Sequence, residues 1–125
     1  MAGSGRIYTL PNDDCWTQLG LQASARSTAG AVRFTANLSV VNAEAWAAAY
    51  RESPWIGERP KPNVFARHGG RFQQRIGQAL GVGDRWWEVR ADGGDSAAVC
   101  EDFLRVVADV GLPTLRRETA ARSGA

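Results

Sequence analysis

The chain has 125 residues, 44% of them hydrophobic and 22% charged, with a net charge of +2. That is the size and composition of one globular domain, able to bury a core without a metal or disulfide staple, and it excludes a wholly disordered chain. The small net charge, carried by arginines spread along the chain with Lys61 as the single lysine, gives no support to a dedicated nucleic-acid binder, which gathers positive charge on one face.

Ala2-Gly-Ser-Gly5 reads as a flexible tail, and the ordered core is expected over about 6–117 of a single domain spanning 1–125. Residues 7–10 predict a short strand. Pro11, Asn12, Asp13 and Asp14 predict a turn, because Pro presets φ and Asn and Asp tolerate turn geometry. Over 15–22, Cys15, Thr17, Leu19 and Leu21 alternate with Trp16, Gln18, Gly20 and Gln22, so the first two strands should form a hairpin. After a polar loop, residues 31–41 carry the strongest strand signal. Val32, Phe34, Ala36, Leu38 and Val40 alternate with Arg33, Thr35, Asn37 and Ser39, which predicts one buried and one wet face.

Asn42 is placed to cap a helix over 43–52, with Ala43, Trp46, Ala47 and Tyr50 on one side and Pro54 ending it. Three prolines and three glycines within 53–71 predict a long irregular loop, a kind of segment that is often functional or mobile. Residues 72–77 resume strand alternation, 81–84 form a turn, and 85–90 form a strand containing Trp86 and Trp87. A last helix starts at Asp95 or Ser96 and buries Val99, Phe103, Val106, Val107 and Val110. Gly111 and Pro113 predict its end, and the polar stretch after Leu115 is expected to fray. The order β-β-β-α-β-β-α predicts an α+β fold: an antiparallel sheet of about five strands with two helices packed on its apolar face.

Several of these stretches resemble a known family. Asn12-Asp-Asp-Cys-Trp16, Leu21-Gln-Ala-Ser24, Arg33-Phe-Thr-Ala-Asn-Leu-Ser39, Gln74-Arg-Ile-Gly77, Gly83-Asp-Arg-Trp-Trp87 and the helix ending in Gly111-Leu-Pro113 are similar to the motifs of the bacterial domain of unknown function 4304 family, over roughly residues 6–117. The chain departs from the usual pattern at Ala23, where a basic residue is common, and it starts almost at the first strand, where relatives usually carry a helix. The resemblance implies no particular chemistry. Abundant Arg, Ala and Gly also fit a GC-rich bacterial genome.

No catalytic or metal-binding signature stands out. His68 is the single histidine, and neither a nucleophile nor a set of His/Cys/carboxylate metal ligands accompanies it. Cys15 and Cys100 are far apart and read as two small buried residues of a reducing cytoplasm. The glycine pairs match no phosphate-binding motif. Asp13 and Asp14 fall in a turn, where a carboxylate stays solvated. No apolar run is long enough to span a membrane, and no signal peptide is visible, so a cytoplasmic location without membrane attachment is expected. No cofactor is implied.

The polar face of the sheet is the best functional candidate. Trp16, Gln18 and Gln22 share one face of their strand; Arg33, Asn37, Gln73 and Arg75 join them if the registers align, with Asp84 and one of Trp86 and Trp87 beside them. Aromatics among amides and arginines make a surface suited to a protein partner or to planar or anionic groups. Two function classes follow. The first is a non-enzymatic interaction domain that binds another protein or a second copy of itself. The alternative is a small-molecule-binding protein or enzyme accessory to a biosynthetic pathway, with loop 53–71 as a lid and Arg75 as an anion anchor.

Overall fold

The computed structural model describes residues 5–123; the expected tail at residues 2–4 lies outside the described residues. Its fold is α+β, built on an antiparallel sheet of β1 (Ile7–Leu10), β2 (Cys15–Ala23), β3 (Ala31–Asn42), β4 (Phe72–Arg75) and β5 (Trp87–Arg90). The helices are α1 (Ala43–Glu52), α2 (Ile76–Leu80), α3 (Ser96–Val106) and α4 (Leu112–Arg122). A single 3-10 turn covers Pro54–Ile56, and a π-helical segment, Val107–Gly111, joins α3 to α4.

The strand order is β1-β2-β3, with β4 and β5 sharing the far side of β3. β5 pairs with residues 31–34 of β3 and β4 with residues 37–40, so the two short strands lie end to end with α2 between them. The β1–β2 turn is fixed by Asn12, whose Oδ1 accepts from the main-chain N–H groups of Asp14 and Cys15 at 2.9 and 2.8 Å. Asn42 caps α1 as expected, accepting from the Ala45 N–H at 3.0 Å.

Pairing of Leu19 with Leu38 and of Phe34 with Trp87 puts the apolar residues of all strands on one face. There Leu19, Ala36, Leu38, Val40, Ile76, Trp87, Phe103, Val106 and Leu115 form the core beneath α3 and α4. Phe103 meets Phe34 and Trp87 edge-on, with ring centroids 5.0 and 4.9 Å apart. These aromatic crossings add to the area term that dominates burial.

Four expectations need correction. Strand β4 ends at Arg75; Ile76 and Gly77 belong to α2, because a side chain at Gly77 would lie 2.2 Å from the Gly83 carbonyl oxygen, and the chain must turn there. Gly111 does not end the last helix. Its φ is −62°, an ordinary helical value, and its lack of a side chain lets Ile76 approach, with Ile76 Cδ1 3.2 Å from where a Cβ would sit. The helix continues through Pro113, which stands in the first turn of α4, where its missing N–H is tolerated; the wider π turn just before it relieves the clash a proline ring makes with the preceding turn. The stretch beyond Leu115 is therefore helical, with Thr114 and Leu115 buried against the sheet. Finally, among the described residues the α-helices are four and are not all on the apolar face. α1 turns its buried Trp46 toward loop 53–71, where the indole N–H donates to the Gly57 carbonyl at 3.0 Å.

Candidate functional site

The face of the sheet opposite the core carries Gln18, Thr35, Asn37 and Ser39, and all four are buried, not wet. Loop 53–71 lies over them. Its Pro60 and Pro62 are fully buried, and the sheet's polar side chains hold the loop. Asn37 donates through Nδ2 to Gln22 Oε1 at 2.7 Å and to Asn63 Oδ1 at 2.8 Å, while Asn63 donates to the Leu21 carbonyl at 2.9 Å. Gln73 donates to the Pro62 and Val64 carbonyls at 2.8 and 3.0 Å and accepts from the Ala66 N–H at 3.1 Å. A loop with one 3-10 turn as its regular structure must satisfy most of its backbone groups elsewhere, and here the sheet face takes up part of them.

Arg71 completes this arrangement. It donates to Ser39 Oγ at 2.8 Å and to the carbonyls of Lys61, Val64 and Ala66 at 2.6, 3.1 and 3.4 Å. Its guanidinium lies 5.5 Å from the Trp46 ring centroid. Burial pulls its pKa down to about 10, so it keeps its charge at neutral pH. Among the described residues no carboxylate pairs with it; carbonyl dipoles and the indole face stabilise it instead.

Beyond the loop, at the β5 end of the same face, the surface opens. Trp86 precedes β5 and is partly exposed. Continuing the β5 register by one residue sets it opposite Thr35, whose hydroxyl donates to the Arg85 carbonyl at 2.7 Å. The Arg75 and Arg33 guanidiniums lie 5.1 and 6.0 Å from the Trp86 ring centroid. Arg75 also pairs with the exposed Asp84 at 3.1 Å.

The ten residues picked from sequence thus separate into three groups. Arg33, Arg75, Asp84 and Trp86 come together on the open part of the polar face. Asn37 and Gln73 hold the loop, with Gln22 accepting from Asn37; Gln18 is buried; and Trp16, partly exposed, has Arg59 of the loop 5.7 Å from its ring centroid. Trp87 points into the core, where its indole N–H donates to Asp102 Oδ2 at 2.9 Å. Sequence reasoning passed over Arg71, Asn63 and Asp102. Arg71 had a usable signal: it shares strand parity with Gln73 and Arg75, one step before β4. Asn63 and Asp102 had none, since their partners are remote in sequence.

Asp102 receives Trp87 and Arg85, the latter at 2.6 Å, and also Arg105. The Trp87 hydrogen bond, then those contacts with Arg105 and the charges of Arg85 and Arg105, hold its carboxyl below the usual range against the opposing effect of desolvation.

His68 stands edge-on to Trp46, with centroids 6.3 Å apart. Cys15 is buried, but Cys100 is exposed on α3, a correction to the pair of buried thiols read from sequence: it falls outside the stripe that Val99, Phe103 and Val106 turn inward. Among the described residues no three His, Cys, Asp or Glu side chains converge as metal ligands would, and no helix is long and apolar enough to cross a membrane.

The family model described as Domain of unknown function (DUF4304) matches residues 2–117, nearly the whole chain. No curated protein matches, and no solved structure matches.

Proposed function

We propose that this chain, which belongs to the DUF4304 family, is a non-enzymatic interaction domain of a bacterial cytoplasm, and that its contact surface centres on Trp86. The observation that carries this reading is the Arg33–Trp86–Arg75 cluster on the part of the polar face that loop 53–71 leaves open. Trp and Arg are the side chains most enriched at the energetic centres of interfaces. Two guanidiniums near the indole hold it in place at little further entropic cost on binding. The lid reading has less to stand on, because the loop is tied down by Asn37, Arg71 and Gln73 over a face that it already fills.

The partner is a protein, either a second copy of the chain or another bacterial protein. The test compares wild type with Trp86→Ala and Trp55→Ala, the latter removing a 79% exposed tryptophan of the loop. A bound protein from source cells, or a dimer seen by sedimentation, should persist in Trp55→Ala. It should weaken roughly 30-fold or more in Trp86→Ala, as loss of a central tryptophan does. Equal binding by all three proteins, or a monomer with no bound protein, would overturn the reading.

A further inference from the structure

The free edge of β4 borders a cleft of about 830 Å³, lined by Phe65, Arg67, Arg71, Phe72, Gln73 and Arg122 among others. That volume lies within the range of small-molecule sites. No carboxylate lines it, and it contains three arginines. The cleft is separate from the Trp86 cluster in every residue that lines it.

The donors here are only partly spent. Arg71 uses Nε, both N–H groups of Nη1 and one of Nη2 on Ser39 and loop carbonyls, leaving one Nη2 hydrogen. Arg122 commits Nε to the Gly70 carbonyl at 3.1 Å and Nη1 to Glu118 at 2.7 Å, leaving Nη2. Arg67 is exposed and forms no ion pair among the described residues.

The strand edge adds main-chain groups. The Arg75 N–H turns away from β3, since it donates to Gln78 Oε1 at 3.0 Å. Alternate residues of an antiparallel strand face the same way, so the Gln73 N–H and C=O also face the open edge. The apolar part of the lining is Phe65, 54% exposed, and Phe72, whose ring centroid lies 5.7 Å from the Arg122 guanidinium.

We propose that this cleft binds a small organic anion, a carboxylate or phosphate ester with a flat apolar body. The acidic group lies against Arg67, Arg71 and Arg122, and the apolar body lies on Phe65. A buried guanidinium without a carboxylate, next to two more cations in a concave surface, favours an anionic guest. The exposed phenyl ring gives that guest something to pack on that inorganic phosphate lacks.

The test is an amide and arginine Nε chemical-shift titration of the full chain with benzoate, phenyl phosphate, inorganic phosphate and neutral benzyl alcohol. Benzoate, phenyl phosphate or both should give saturable shifts confined to residues 65–67 and 70–73 and to the Nε signals of Arg71 and Arg122. Inorganic phosphate should bind at least ten-fold more weakly, and benzyl alcohol should give no saturable shift. Arg67→Glu, an exposed change that spares the fold, should weaken binding about ten-fold, the effect of one charge-assisted contact. Phe65→Ala should weaken the aromatic anions but not inorganic phosphate. Trp86→Ala should leave all titrations unchanged, so that this site and the proposed protein interface fail or stand separately. Absence of saturable shifts with both aromatic anions, shifts elsewhere, or identical titrations of wild type and Arg67→Glu would overturn the proposal.

Discussion

Gly20→Ala tests whether loop 53–71 is seated on the sheet, because the sign of its effect depends on that seating. In the middle of an unobstructed strand the change stabilises by about 0.5–1 kcal/mol, since glycine loses more backbone freedom on folding. Here the new Cβ would lie 2.4 Å from Asn63 Oδ1 and 2.8 Å from Pro62 Cγ. Neither atom yields easily: the Asn63 amide is held by Asn37 and by the Leu21 carbonyl, and Pro62 is a rigid, fully buried ring. Overpacking of that kind costs about 1–3 kcal/mol, and displacing Asn63 gives up two hydrogen bonds of about 1 kcal/mol each. The net expectation is destabilisation by about 2–4 kcal/mol. With an unfolding entropy of about 2.1 cal/mol/K per residue, this lowers Tm by about 8–15 °C. Urea and thermal unfolding of Gly20→Ala measure it. Repeating the change in a Pro62→Ala/Asn63→Ala background should recover at least about 1 kcal/mol as coupling between touching groups. A neutral or stabilising Gly20→Ala would refute the seated loop and the account of the polar face built on it.

The remaining predictions concern the helical layer. Leu115→Ala should cost about 2–5 kcal/mol by equilibrium unfolding, as for other buried leucines, whereas a frayed C-terminal tail would lose under about 0.5 kcal/mol. Asp102→Asn should destabilise at neutral pH and progressively less in acid. Because the folded carboxyl titrates below its unfolded value of about 3.9, its contribution is full above that value and fades as pH falls through the lower, folded one. Urea midpoints of wild type and variant should therefore keep their gap from pH 7 to about pH 5 and converge only below about pH 4; a gap unchanged down to about pH 2 would remove Asp102 from the acid response.

The sheet was legible because its alternation is long. Nine residues from Val32 to Val40 keep a period of two, and no helix satisfies that pattern, so β3 and the faces of its neighbours follow from the sequence. The errors lie where local signals are ambiguous and a distant contact decides. Ile76 continues the parity of Phe72 and Gln74, so it reads as strand; what turns the chain is the close approach of Gly77 to Gly83, a contact invisible to any window around residue 76. Gly111 and Pro113 together read as a helix stop, yet Gly111 is there for Ile76, and the π turn carries the helix on through the proline.

The polar face shows the same limit in its functional form. Alternation identifies which side chains leave the core, but an amide bonded to water and an amide bonded to a loop carbonyl have the same sequence signature. Asn37, Gln73 and Gln22 read as a recognition surface because amides and arginines compose one, and the structure spends Asn37 and Gln73 instead on holding a proline-rich segment that makes few hydrogen bonds within itself, with Gln22 accepting from Asn37. Such a covering can extend only as far as loop carbonyls reach. Arg33, Trp86 and Arg75 lie beyond it, and their mutual stacking leaves the indole partly exposed. On a face where Asn37, Ser39, Arg71 and Gln73 are engaged with the loop or with one another, a tryptophan kept at the surface by two cations is the feature that folding alone does not require.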